Sequence, residues 1–276
     1  MRAALLGIAC VSLPCLLAEL VDWAWGLSPD QLGPAGLGPG WSHPLGTDAL
    51  GRDQLSRLLH GGRVSLAVAA GGAVLATVLG TGIGAAAGYL GGRTEWALMR
   101  LSELWMALPK LPVMILLSGL ASAFTTHAGP FGQVLRLALV IGAFSWMDVA
   151  RLTRAETRRI RRLGFVLAAE GLGASRRFVL RRHVLPHLMP SLGVALALEL
   201  RDAVLFEASL SFLGLGVAVP TPSWGRQLAA GWSTVTSAPW VMLAAGAAVF
   251  VWTASVHLGI EAFRSRQDPA LGPSRR

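Results

Sequence analysis

Long apolar stretches recur along this chain and limit the folds open to it. Six of them, each near the length that a helix needs to cross a hydrocarbon core of about 30 Å, lie at residues 4–26, 64–90, 97–122, 134–150, 188–214 and 238–260. The alternating pattern of a membrane β-barrel is absent, and 53% of the residues are hydrophobic against 14% charged. The sequence therefore predicts an all-α integral membrane protein with six transmembrane helices.

The first stretch has one alternative interpretation. A single arginine precedes its apolar core, as in a secretory signal, but the apolar run continues through Trp23 and Trp25 without a clear small-residue cleavage site. This favours a membrane span. The two cysteines, Cys10 and Cys15, are five residues apart and point away from each other on a helix, which favours an apolar packing role.

The arginines predict which parts of the chain face the cytoplasm. Residues 151–187 contain ten of them, and four more follow the last stretch: Arg151, Arg154, Arg158, Arg159, Arg161, Arg162, Arg176, Arg177, Arg181 and Arg182, then Arg264, Arg266, Arg275 and Arg276. Positive loops stay on the cytoplasmic side, so both termini are expected there. The net charge of +9 is concentrated where this topology needs it, and without interleaved aromatic residues it predicts no nucleic-acid binding.

This topology divides the chain into four parts. Residues 1–27 form the first transmembrane helix, 28–63 an external loop, 64–260 the core of five helices, and 261–276 a cytoplasmic tail. The Gly- and Pro-rich residues 28–47 predict irregular structure, after which Asp48 is expected to cap a short interfacial helix ending at Leu59. The second external loop, 215–237, contains Pro220, Pro222, Trp224 and Trp232, which suit a rigid cap at the membrane surface.

The cytoplasmic segment 151–187 combines an amphipathic helix with a corner. Apolar residues recur among the arginines up to Leu172, where Gly171 and Gly173 interrupt the helix and permit the positive φ of a sharp turn. A second short helix is expected to follow and to stop at Pro186. A helix on anionic lipid would not need such a corner, whereas an apolar tip suits insertion into a groove of another protein.

The run AAEGLGASRRFVLRRHVLP (168–186) resembles the cytoplasmic loop of ATP-binding-cassette (ABC) importer permeases. Ala168, Ala169, Gly173, Leu185 and Pro186 match its pattern, whereas Leu167 stands where the family has a glutamate. Three further segments are similar to the second of the two permease subunits of the peptide and nickel uptake subfamily: HPLGTDALGRDQLSRLLHGGRVSL (43–66), GYLGGRTEWALMRLSELWMALP (88–109) and EASLSFLGLGVAVPTPSWG (207–225).

The resemblance implies a type I ABC importer permease fold in the bacterial plasma (inner) membrane. Its implied partners are a homologous permease subunit, forming a heterodimer, two ABC ATPase subunits, an extracytoplasmic substrate-binding protein received by the external loops, and membrane lipid. The implied coupling-helix loop comprises Ala168, Ala169, Glu170, Gly173, Ala174, Ser175, Leu185 and Pro186. The implied cargo is a di- or oligopeptide. Residues 165–168 are also similar to nickel-type permeases, so nickel or a metal-chelate complex is the alternative.

The residues themselves predict that ATP is hydrolysed elsewhere. A Walker A loop needs Gly-Lys-Ser or Gly-Lys-Thr, but Leu111 follows Lys110, the only lysine. His183 and His187 have the spacing of a helical zinc pair, but Pro186 interrupts that helix, and no Gly-x-Ser-x-Gly motif is present. We therefore expect no catalytic residue, no cofactor and no metal. A stand-alone channel and a membrane enzyme are the alternatives from other classes.

Charged and small residues inside the spans make two further predictions. Charges are costly in a membrane, so we expect a hydrated translocation pathway lined by Glu103, Lys110, Arg201, Asp202 and Glu207. Buried salt bridges that fix helix register are the alternative. Gly80, Gly84 and Gly88 share one helix face and predict close helix packing, either within the chain or against the partner permease.

Overall fold

The computed structural model describes residues 2–124 and 129–267, and this part of the chain is helical without a β-strand. Residues 268–276 of the predicted cytoplasmic tail, with Arg275 and Arg276, lie outside the described residues. The described helices are α1 (Arg2–Leu16), α2 (Ala18–Trp25), α3 (Gln54–Leu90), α4 (Gly92–Met106), α5 (Lys110–Phe124), α6 (Pro130–Arg161), α7 (Gly164–Gly171), α8 (Arg176–Val179), α9 (Leu185–Phe212), α10 (Trp224–Ser233) and α11 (Pro239–Gln267). The predicted all-α class is confirmed.

Three of these helices, α3, α6 and α11, are long and apolar enough to cross a membrane by themselves. Two bent pairs also qualify when each is taken as one span, with bends of 66° between α1 and α2 and 85° between α4 and α5. The predicted fifth span lies in α9, which is not among these helices because it carries the closely spaced charged residues Glu199, Arg201 and Asp202. Among the described residues, length and composition therefore give three to five spans, and six remains a prediction.

The prediction of a short helix that begins after Asp48 and ends at Leu59 is wrong. Asp53 is the N-cap instead, its carboxylate accepting a hydrogen bond from the Ser56 N–H at 2.8 Å, and α3 continues without a break to Leu90. Asp48 holds the preceding turn, where its Oδ1 accepts from the backbone N–H groups of Leu50 and Arg52. Trp224, expected in a surface cap, is fully buried and donates its indole N–H to the Leu58 carbonyl oxygen at 3.0 Å.

The predicted third span is not one continuous helix. α4 ends at Met106 and α5 begins at Lys110, because Pro109 lacks the N–H that would continue α4 and disfavours helical geometry at the preceding residue. The 85° bend places Glu103 and Lys110, two of the residues predicted to line a pathway, on differently directed helices. The break between α1 and α2 is stabilised by a side chain of α3. The Arg63 guanidinium donates hydrogen bonds to the carbonyl oxygens of Cys15 and Leu16 at 2.7 and 2.6 Å.

The predicted close packing at Gly80, Gly84 and Gly88 occurs within the chain, between α3 and α6. A methyl group on Gly80 would lie 2.5 Å from the Trp146 carbonyl oxygen, and one on Gly88 would lie 2.7 Å from that of Arg154. Both distances are far inside van der Waals contact, so only glycine lets the two backbones approach this closely. The contact joins α3 and α6 along the half of α3 that ends at Leu90.

Alanine at Gly84 should destabilise the protein, because the added methyl would lie 2.8 Å from the Thr153 Cβ. Forcing a methyl into a packed helix contact costs about 1–3 kcal/mol. Gly82→Ala is the matched control, since no atom lies within 4 Å of a methyl at that position on the same helix. Thermal unfolding of the purified chain should show a lower Tm for Gly84→Ala and an unchanged or higher Tm for Gly82→Ala. Equal Tm values would contradict the packing assignment.

Candidate functional site: the Gly173 corner and the charges of the helical bundle

The corner predicted at Gly173 is present, and its backbone shows why glycine is needed. Gly173 has φ of +83°, a conformation that residues with a side chain rarely adopt. The Gly173 N–H donates to the Glu170 carbonyl oxygen and the Ala174 N–H to that of Ala169, both at 3.0 Å, which ends α7 at Gly171. Ser175 then caps α8 by accepting a hydrogen bond from the Phe178 N–H.

The prediction that the second short helix stops at Pro186 is wrong. α8 continues through a π-helical turn, Leu180–Val184, directly into α9, and Pro186 lies in the first turn of α9. In the π-helical turn the Leu185 N–H reaches back to the Leu180 carbonyl oxygen, so the missing N–H of the next residue leaves no gap in the helix. The predicted amphipathic helix is likewise divided, with α6 ending at Arg161 and α7 beginning at Gly164. The corner is therefore continuous with the membrane helix α9.

Glu170 fastens this corner to the ends of two other helices. Its Oε1 accepts a hydrogen bond from the Tyr89 hydroxyl of α3 at 2.8 Å and lies 3.8 Å from the Arg161 guanidinium of α6. Arg161 also donates to the Tyr89 carbonyl oxygen at 2.8 Å and lies over its ring, 5.2 Å from the centroid. We call Tyr89, Arg161 and Glu170 the Glu170 anchor. Sequence reasoning missed two of its members, although Tyr89 is the only tyrosine of the chain.

The corner has an apolar underside and an exposed apolar tip. Val166, Val179 and Val184 are fully buried in a small core beneath it, together with Tyr89 and Ile160. At the tip, Leu172 is 90% exposed, while Leu167 and Phe178 are each about half exposed. Arg177, Arg181 and Arg182 border an open groove beside Phe178. The corner thus presents a rigid apolar point surrounded by positive charge.

The two histidines next to the corner have a packing role. His187 stacks on Phe165 with 4.8 Å between ring centroids, and Phe178 meets His183 edge to face at 5.8 Å. The described residues contain no group of three His, Cys, Asp or Glu side chains that is arranged to hold a metal ion.

The structure separates the five charges predicted to line one pathway. Lys110 pairs with Asp148 of α6, with 2.5 Å between Nζ and Oδ2, and both side chains are partly exposed. Arg201 pairs with its neighbour Asp202 at 2.7 Å, and the charges of both pairs act on the buried Glu199 carboxyl group. Lys110, Asp148, Glu199, Arg201 and Asp202 therefore form one group, which we call the charge cluster. Asp148 was missed because its partner lies 38 residues away.

Glu103 and Glu207 lie apart from the charge cluster. Glu103 pairs with Arg100 on the outer side of α4 at 3.1 Å, and the bend before α5 directs it away from Lys110. Glu207 is fully buried and accepts a hydrogen bond from the Ser211 hydroxyl at 2.6 Å. Neither carboxyl group joins Lys110 in the described structure, so the five predicted residues do not line one continuous surface of this chain.

The fold and these features define a helical membrane protein with an anchored corner at one end of its longest helices. Residues 63–268 match the family model described as the inner membrane component of binding-protein-dependent transport systems. The chain belongs to this family.

Individual relatives agree with the family match. The chain is 38% identical to an oligopeptide transport system permease protein of Haemophilus influenzae over 190 residues, 68% of this chain and 58% of that protein. It is 36% identical to a putative peptide permease protein of Brucella ovis over 217 residues, 78% of this chain and 68% of that protein. An oligopeptide transport system permease protein of Bacillus subtilis is 29% identical over 211 residues, 76% of this chain and 66% of that protein.

Neutralising the Lys110–Asp148 pair should impair transport more than stability. Both side chains are partly exposed, and if that exposure is to a water-filled pathway, removing the pair changes the folding free energy by about 0–1 kcal/mol. We expect Lys110→Met and Asp148→Asn to be recovered in the assembled complex at normal levels, with substrate uptake about tenfold lower. Glu103→Gln, whose carboxyl group pairs only within α4, is the control and should retain uptake.

The double variant separates this role from a register-fixing salt bridge. Under the pathway interpretation, Lys110→Met combined with Asp148→Asn assembles normally and still transports poorly. If the single variants lose assembled complex and the double variant restores both assembly and uptake, the pair serves only to fix helix register.

Proposed function

We propose that this chain is the transmembrane permease subunit of an ABC importer and forms part of the translocation pathway for di- and oligopeptides. The observation that carries the proposal is the anchored corner, because a rigid exposed point tied to three long helices is suited to receive a movement from another protein. The family match and the names of the relatives support the transport role and the peptide cargo. Nickel or a metal-chelate complex is the alternative cargo.

The proposed complex contains two ABC ATPase subunits, a homologous permease subunit and an extracytoplasmic binding protein. In this complex the chain crosses the bacterial inner membrane six times with both termini in the cytoplasm. The exposed Leu172 enters a groove of one ATPase subunit, and the surrounding arginines pair with acidic groups on its surface. The chain performs no covalent chemistry, and ATP is hydrolysed on the ATPase subunits.

The Glu170 anchor suggests how force reaches the membrane. When the ATPase subunits close on ATP, displacement of the corner moves the end of α3 through Tyr89, the end of α6 through Arg161, and α9 directly. The connections to α3 and α6 are polar contacts above a small packed core, so the corner moves as one body with these two helices and α9. Asp148 and Glu199 belong to this body, on α6 and α9, whereas Lys110 comes from α5. Movement of the body relative to α5 therefore rearranges the charge cluster.

Transport by reconstituted complexes tests the proposal directly. Uptake of a labelled dipeptide into proteoliposomes should require ATP, the ATPase subunits and the binding protein. Uptake that proceeds without ATP would instead indicate a channel, and uptake of nickel ions in place of the peptide would support the alternative cargo.

Gly173→Val should uncouple ATP hydrolysis from transport. No atom lies within 4 Å of a side chain at this position, so the substitution acts only through the backbone, whose φ of +83° disfavours a β-branched residue. We expect normal insertion and assembly but at least tenfold lower dipeptide uptake, about 1.4 kcal/mol of lost coupling. Substrate uptake and substrate-stimulated ATP hydrolysis in proteoliposomes are the measurements.

Gly171→Val is the matched control for this prediction. It adds the same side chain two residues earlier, also into open space, but at a helical position without positive φ, so coupling should be largely retained. Arg176→Gln and Arg181→Gln should also have small effects, because exposed charge contacts are worth about 0–1 kcal/mol. Full coupling in Gly173→Val together with loss of coupling in the arginine variants would show that coupling depends on the charges of the corner and not on its backbone conformation.

A further inference from the structure

A small charged cavity lies where the start of α3 meets the segment that leads into α10. Its volume is about 170 Å³. Arg52, Arg57 and Arg226 contribute three positive charges to its lining, and Asp48 contributes the only negative one, which leaves a formal excess of two positive charges. An enclosed site with this charge attracts anions.

The three guanidinium groups differ in how far they are neutralised. Arg52 pairs with Asp48 at 2.8 Å, whereas the buried Arg57 donates to the Pro29 carbonyl oxygen at 3.0 Å and lies 3.6 Å from the exposed Asp30 carboxylate. Arg226 donates to the Val217 carbonyl oxygen at 3.0 Å, and none of the carboxylate oxygens of residues 2–124 and 129–267 is within 4 Å of its guanidinium. Burial lowers the pKa of Arg226 below its ordinary value, and the charge of Arg52 lowers it further.

Two buried amides in the same lining have unused hydrogen-bonding capacity. Gln54 and Gln227 are 2% and 3% exposed. Neither amide atom of Gln227 has a hydrogen-bond partner in the described part of the chain, and neither does Oε1 of Gln54. Buried polar groups are rarely left without partners, so this lining is suited to a polar ligand. The Gln227 amide group and the three guanidinium groups supply N–H donors, which are the groups that a carboxylate binds.

The cavity is at the opposite end of α3 from the corner. Arg57 and Tyr89 are separated by 32 residues of continuous helix, which at about 1.5 Å per residue places them about 48 Å apart. Given that the corner is cytoplasmic, as the proposed function requires, the cavity faces the outside. Its mouth includes Leu50 and Val219, which are 59% and 65% exposed and offer apolar contact area beside the charges.

We propose that this cavity binds the carboxylate of an Asp or Glu side chain of the extracytoplasmic binding protein. The volume accommodates a carboxylate with its few surrounding waters, at about 30 Å³ per water, but not a peptide substrate. The exposed apolar mouth around a desolvated charge is typical of a protein contact, in which Arg–carboxylate pairs give specificity. The inference rests on the proposed function and adds which residues receive the binding protein and by what chemistry.

Cross-linking identifies the source of the carboxylate. Arg226→Lys introduces an amine that a carbodiimide joins to an adjacent carboxylate without a spacer. The experiment uses the reconstituted importer and the binding protein that stimulates its ATP hydrolysis, and mass spectrometry locates the new amide. A link to an Asp or Glu side chain of the binding protein supports the proposal. A link to the C-terminal carboxylate of the peptide, a link only to Asp48 or Asp30, or no link overturns it.

Affinity measurements provide a second, independent test. Leu50→Glu places a carboxylate at the mouth of the cavity, and Leu50→Gln is its matched control of the same shape without the charge. We expect the binding protein to bind the Leu50→Glu importer about tenfold more weakly than the Leu50→Gln importer, with the difference shrinking at high salt. Arg226→Gln should also lower affinity about tenfold, whereas Arg93→Gln, which removes one positive charge at the other end of the molecule, should not.

These outcomes separate the inference from the proposed function. If the binding protein stimulates ATP hydrolysis but binds both Leu50 variants equally, the cavity assignment is wrong and the importer function stands. If no binding protein stimulates ATP hydrolysis by the wild-type complex, the proposed function itself is wrong.

Discussion

Close contact between α3 and α6 connects the two ends of this molecule. It depends on glycines whose replacement would bring a methyl group to 2.8 Å or less from the backbone or Cβ atoms of α6. α3 carries the charged cavity at its first turn and Tyr89 at its last, while α6 carries Asp148 midway and Arg161 at its end. Because the helices cannot separate or rotate without losing this packing, the packed pair holds the corner, Asp148 of the charge cluster and the charged cavity in fixed relative positions.

The charged residues are arranged differently in the middle of the helical bundle and at its two ends. Inside the helical bundle, each of Lys110, Arg201 and Glu207 has a polar partner on its own or a neighbouring helix, which limits the cost of removing it from water. At the corner and at the charged cavity, by contrast, positive charge exceeds the available carboxylates. Surplus positive charge at the two ends, with polar partners for the charged residues between them, is the arrangement expected of a subunit that meets different proteins at its two ends.

Features set by local sequence were predictable, and those set by distant contacts were not. Apolar length predicted the helical membrane class, the four-residue glycine spacing predicted close packing, and Gly173 predicted the corner, because each depends on residues near one another in the chain. The Glu170–Tyr89 and Lys110–Asp148 contacts join residues 81 and 38 positions apart, which no local pattern reveals. Pro109 and Pro186 were misjudged for a related reason: whether a proline breaks a helix depends on the turn before it, and the π-helical turn before Pro186 absorbs its missing N–H.

The central claim is that the corner and the charged cavity lie on opposite sides of the membrane. The proposed contacts with the ATPase and with the binding protein require this arrangement. Ser175 at the corner and Ser42 in the loop before α3 are both exposed and suit labelling with a membrane-impermeant thiol reagent. In a chain whose Cys10 and Cys15 are replaced by alanine, Ser175→Cys should be labelled only from the cytoplasmic side and Ser42→Cys only from outside. Labelling of both positions from the same side would contradict the account.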